Sequence, residues 1–197
     1  MLRPLMWFDR MDARDPLQLT DGVYALLGRY YFKNNANIWL WTLYGNNTTK
    51  GWEAIPSTKH KAEWGGRFQF PVFNGEAALS FHNRTADVKA FFPDTISLTT
   101  DEFVQNKYGI DGKWDIGIGL WFEYVVKENH ISAHPRPYKY EHAANIGIDY
   151  TFALGNGLNA SAEFFYLSQS DKFFESDVNV QMSALSLNYP IGLFDRI

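Results

Sequence analysis

The sequence predicts an all-β protein, an antiparallel up-and-down transmembrane β-barrel in which residues 1–197 form one domain or a consecutive portion of one. Three observations carry this expectation. Apolar and polar residues alternate with a period of two along most of the chain, and the helical 3.6 period is nearly absent. The connections between alternating runs are short and long in turn, as in barrels with tight turns on one edge and long loops on the other. Aromatic residues make up 17% of the chain (7 Trp, 11 Tyr and 16 Phe), a level that barrels with aromatic girdles at both membrane interfaces reach routinely.

Taken in order, "LRPLMWFD" reads as the tail of a strand and "FDRMDARDP" as an acidic turn closed by Pro16. Gly22 to Phe32 sets Tyr24, Leu26, Tyr30 and Phe32 on one parity and Arg29 on the other. A short "FKNNAN" turn leads into Asn37 to Tyr44, apolar on both faces, and a long segment from Gly45 to Lys61 follows. Glu63 to Val72 opposes Trp64, Phe68, Phe70 and Val72 to Glu63, Arg67 and Gln69. After the short "VFNGE" turn, Glu76 to Arg84 opposes Ala77, Leu79 and Phe81 to Glu76, Ser80, His82 and Arg84, and a long segment runs from Ala86 to Glu102.

"KYGIDGKWDIGIGLWFEYVVKE" is apolar on its even positions and largely charged on its odd ones. A tight turn is due inside it, before the long segment from His130 to Tyr140, and Asp111-Gly112 is the obvious candidate. A two-residue loop would pair Ile110 with Lys113 and mix the faces. A three-residue loop, Ile110-Asp111-Gly112 with Gly112 left-handed, keeps parity. Ala144 to Leu154 then sets Ile146, Ile148, Tyr150, Phe152 and Leu154 against Asn145, Asp149 and Thr151. Beyond the short "ALGNG", Leu158 to Tyr166 sets Ala160, Ala162, Phe164 and Tyr166 against Asn159, Ser161 and Glu163. "SQSDKFFES" is of middle length, and Val178 to Ala184 sets Val178, Val180 and Met182 against Asn179, Gln181 and Ser183. "LNYPIGLFDRI" reads as a turn and the start of another strand, so about nine or ten strands are present as a piece of a larger barrel.

Alternation alone does not say which face meets which solvent, since an apolar face points inward in a soluble sandwich and toward lipid in a membrane barrel. Strands of about ten residues suit a tilted membrane crossing. Charges at mid-strand suit an aqueous lumen, and aromatics cluster at strand ends. These favour the outer membrane over a soluble β-barrel binding an apolar ligand. No apolar run of about 20 residues offers a helical span, and no signal peptide is legible, so it was removed or the chain starts inside a longer gene. A net charge of -4 without a basic block argues against nucleic acid, and the absence of cysteine excludes disulfides, thiolate zinc sites and a cysteine nucleophile.

On this parity Arg29, Arg67, Arg84, Lys107 and Lys113 share the solute path with Asp115, Glu123, Asp149 and Glu163, and with Glu63 and Glu76. Such a mixture either builds a transverse field, cations early and acids late, or pairs across strands and fills a wet interior. No catalytic or metal site is expected and no cofactor. The histidines His60, His82, His130, His134 and His142 show no ligand spacing. Ser80 and His82 lie two apart on a strand, about 7 Å, too far for a nucleophile's hydrogen bond. Asp9, Asp12 and Asp15 lack the glycine and glutamate of a calcium loop. The sequons at Asn46, Asn47, Asn83 and Asn159 carry no meaning in a bacterial envelope protein.

"FDRMDARDPLQLTDGVYAL", "EWGGRFQFPVFNGEAALSFHNRTAD" and "GIDGKWDIGIGLWFE" resemble stretches of large porin-like outer-membrane barrels of the alginate-export type, in strand texture and turn residues. The resemblance implies a channel or exporter for small polar or anionic, saccharide-like solutes, with membrane lipid around it. A non-transporting barrel acting as adhesin or structural anchor is the alternative.

Overall fold

The computed structural model describes residues 10–11, 20–21, 23–50, 53–88, 102–131 and 138–190, the first two pairs by backbone alone. Asp9, Asp12, Asp15, His134 and the partial strands expected within 1–9 and 191–197 lie outside the described residues. Strands β1 (Arg10–Met11) and β2 (Thr20–Asp21) pair as a small antiparallel ribbon. The remaining nine, β3 (Ala25–Tyr31), β4 (Asn37–Leu43), β5 (Glu63–Val72), β6 (Gly75–Asp87), β7 (Glu102–Asp115), β8 (Gly119–His130), β9 (Tyr140–Phe152), β10 (Leu158–Ser170) and β11 (Val178–Asn188), form one sheet in sequence order. Every neighbour is antiparallel, the arrangement that short connections permit.

The turns at one end are tight, and each has a local reason to reverse the chain. Phe32 N–H donates to the Ala36 carbonyl (2.8 Å) across a turn in which Asn35 takes the left-handed conformation (φ 64°) that asparagine tolerates. The turn after β9 uses Gly155 and Gly157, both at positive φ. Between β5 and β6 the tip is Phe73, 96% exposed and at φ 52°. A bulky side chain is disfavoured there by roughly 1–2 kcal/mol. Phe73→Gly is therefore expected to raise the unfolding free energy by about 1 kcal/mol, read from chemical denaturation. An unchanged or lowered midpoint would mean that the exposed ring makes a contact which outweighs the strain.

The hairpin between β7 and β8 differs from expectation. β7 runs straight through Ile110-Asp111-Gly112 to Asp115, and the three-residue loop is Ile116-Gly117-Ile118, with Gly117 at φ 90°. Gly112 serves packing instead. A Cβ there would collide with the Trp114 ring, which lies over Gly112, stacks on Phe122 (centroids 5.9 Å apart) and donates from Nε1 to the Val72 carbonyl (3.2 Å). Continuing β7 also keeps Asp111 opposite Ala78, within reach of Arg67. Both turns centre on a residue, Asp111 or Gly117, so the slide preserves which residues share a face.

The register of β11 sets which of its alternating residues joins which face. Gln169 pairs with Val178, and the even number of residues between them reverses parity. Val178, Val180 and Met182 therefore share a face with Phe165 and Leu167, while Asn179, Gln181 and Ser183 lie on the face of Phe164 and Tyr166. A second difference concerns closure. Among the described residues β3 and β11 pair only with β4 and β10, so these nine strands make an open sheet rather than a closed barrel.

The sheet nevertheless curls. Val125 on β8 is buried in one cluster with Trp41 and Leu43 on β4. Four inter-strand steps of about 4.8 Å would hold these positions roughly 19 Å apart in a flat sheet. The face carrying them is hence concave. The opposite, convex face is apolar across the sheet: Tyr30, Ile38, Phe68, Leu79, Ile110, Tyr124, Ala144 and Tyr166 form one continuous register row from β3 to β10. Tyr30, Phe68, Leu79, Ile110 and Tyr124 of this row are exposed.

Candidate functional site

The concave face is built on another register row, Trp41, Gly65, His82, Lys107, Lys127, Glu141 and Gln169, one residue from each strand from β4 to β10. The absence of a side chain at Gly65 lets the Trp41 indole lie across β5, where a Cβ would meet its ring at 2.6 Å. Trp41 Nε1–H then donates to His82 Nδ1 (2.9 Å). That bond puts the imidazole proton on Nε2, which donates to the Glu63 carboxylate at 3.0 Å.

Lys107 and Lys127 stand directly opposite each other, an unfavourable pairing of like charges. Each has its own carboxylate. Lys127 is bonded to Glu141, which also accepts from Gln169 Nε2 (2.7 Å). Lys107 Nζ lies 2.5 Å from Glu53 Oε1. Glu53 comes from the connection between β4 and β5, which folds over the concave face as a strap. Asp87 N–H donates to the Pro56 carbonyl (2.9 Å) and Thr58 N–H to the Thr85 carbonyl (2.9 Å), fixing the far end of the strap beside β6. Ile55 packs on the buried cluster of Ala86, Val88 and Phe103.

Glu53 is the centre of this arrangement. Its Oε2 lies 3.1 Å from Arg84 Nη1 and 3.5 Å from Lys50 Nζ, and accepts the Lys50 backbone N–H at 3.0 Å. Lys50 Nζ also donates to Ser57 Oγ and Glu63 Oε1, both at 2.9 Å, and Arg84 donates to Gln105 Oε1, the Ile55 carbonyl and Ser57 Oγ. Gln105 in turn donates to Asn129 (2.7 Å). Glu53, Lys50, Arg84 and Lys107 are all buried, their side chains at most 2% exposed. Burial alone would raise the Glu53 pKa, but Arg84, Lys107 and Lys50 outweigh it and hold the carboxyl well below its ordinary 4.5. A cavity of about 60 Å³ adjoins the site, lined by Glu53, Arg84, Lys127 and Glu141 among others.

All nine residues assigned to the solute path by parity share the concave face. Arg84 and Lys107 meet through Glu53. Arg67 is bonded instead to Asp111 by both terminal nitrogens and to Ser80, so Ser80 and His82 serve different partners. Arg29 stacks over Trp39 at 4.1 Å. Lys113, Asp115, Glu123, Asp149 and Glu163 lie toward the tight turns, away from the strap. Sequence reasoning passed over Lys50, Glu53, Lys127 and Glu141 as members of one site. Alternation marks Lys127 and Glu141 as facing inward, whereas no periodic signal marks a residue of an irregular strap. Among the described residues no cluster of three His, Asp or Glu side chains is arranged to hold a metal ion.

In comparisons with known proteins, no family model matches the chain, and neither a curated protein nor a solved structure is significantly similar to it.

Proposed function

We propose that the chain forms part of the wall of a bacterial outer-membrane channel, porin-like and of the alginate-export type, that passes small polar or anionic, saccharide-like solutes along a charged concave face. The observation that carries this reading is the exposed apolar convex face, continuous over eight strands and opposed by a concave face of buried ion pairs. A soluble monomer rarely exposes an apolar patch beyond a few hundred Å². Lipid is the solvent that removes this cost. Strands β6 to β10 run 12 to 14 residues, enough to cross a hydrocarbon core at a tilt. In lipid the free edges of β3 and β11 require pairing with further strands, which makes the sheet a section of a larger barrel.

Conductance in planar bilayers tests the reading. The protein, refolded into detergent micelles and reconstituted, is expected to give discrete current steps. Asp115→Lys together with Glu123→Lys is expected to shift ion selectivity toward anions. Insertion without current would favour a second reading, a non-transporting barrel acting as adhesin or anchor, which the strap and the buried Trp41–Leu43–Val125 cluster support by filling the concave side. Cooperative folding in plain buffer without detergent would overturn both.

A further inference from the structure

The arrangement around Glu53 has the chemistry of a ligand site filled from within. Its two carboxylate oxygens are served separately: Oε1 by Lys107 of β7, and Oε2 by Arg84 of β6 together with the ammonium and backbone N–H of Lys50. Two oxygens, each with its own cationic donor, is what a carboxylate requires and a monatomic anion does not. Arg84 and Lys50 have partners besides Glu53, of which Ser57 and Ile55 lie on the strap itself. Arg84 is oriented by Gln105, Ser57 and the Ile55 carbonyl, and Lys50 by Ser57 and Glu63. Lys107 stands in the sheet opposite His82 and Lys127. The cavity of about 60 Å³ is lined by Glu53 and Arg84 among other residues.

We infer that Lys50, Arg84 and Lys107 form a carboxylate-binding site, shared between the strap and the sheet, that the chain's own Glu53 occupies as a tethered ligand would. An external carboxylate is chemically equivalent to the Glu53 side chain and competes for the same donors. In a channel for anionic solutes it would displace the Glu53 side chain from these donors. That consequence rests on the function proposed above, whereas the site itself does not.

The test is chemical rescue of Glu53→Ala in the whole chain, refolded into micelles and titrated with sodium acetate at constant ionic strength, with sodium chloride as the control. Acetate is expected to raise the melting temperature of the variant saturably, by about 5–10 °C at a hundredfold excess over the half-saturating concentration, and to leave the wild type unmoved. Where the variant folds only with acetate present, the folded fraction on an unboiled gel gives the same readout. Adding Arg84→Gln is expected to abolish the response. The inference is overturned if acetate acts no more strongly than chloride, if wild type and variant respond alike, or if the variant fails to fold at every acetate concentration. None of these readouts involves transport, so a channel that fails to conduct leaves the result intact.

Discussion

Glu53→Gln is expected to lower the unfolding free energy near neutral pH by about 3–5 kcal/mol, the range seen when one member of a buried ion pair is removed. The amide fits the same volume but leaves Arg84, Lys107 and Lys50 buried around a neutral group. The same residue sets a pH dependence. Because Arg84, Lys107 and Lys50 outweigh the effect of burial, the folded chain holds this carboxyl well below its ordinary 4.5. The unfolded chain therefore takes up the proton first as the solution is acidified. The contribution of Glu53 is complete above the ordinary value and declines as pH falls below it. Denaturant titrations between about pH 3 and pH 7 are expected to show wild-type stability dropping at the acid end more steeply than that of the variant. Superimposable pH profiles, or a loss below about 1 kcal/mol at neutral pH, would remove Glu53 from the centre of the site.

Ile146→Arg separates a lipid-facing sheet from a water-facing one. Ile146 is the middle residue of β9, exposed on the convex face between Phe122 and Phe164. An arginine at the midplane of a membrane strand costs about 2–4 kcal/mol. On a solvated surface the same change lies within about 0.5 kcal/mol. Unfolding from phospholipid vesicles is expected to give the larger figure, with Asn159→Arg, at the tight-turn end of the concave face, changing little. Equal small effects at both positions would argue that lipid does not contact the convex face.

The strand order, the face on which Arg67 or Asp149 lies and the alternation of tight and long connections were all legible, because strand parity is written in consecutive side chains. The β7–β8 turn was misplaced because glycine marks two different needs. At Gly117 it supplies a left-handed backbone, and at Gly112 it clears space for the Trp114 ring, and only the packed neighbours tell them apart. Which face of the sheet the apolar residues of β11 take was not legible, for a related reason. Parity carries across a connection only when its length is known, and the pairing of Gln169 with Val178 follows from the folded hairpin.

By itself the sequence determined an all-β meander with one apolar and one charged face, since period-two patterning is local and each residue's neighbours two positions away share its side. The tertiary structure alone decided that the sheet curls, that its edges stay open among the described residues and that the irregular segment after β4 lies across the concave face. Those outcomes depend on contacts between residues far apart in the chain, Val125 with Trp41 and Glu53 with Arg84 and Lys107. Their energies come from burial and from paired charge at a distance, and neither leaves a periodic mark in the sequence.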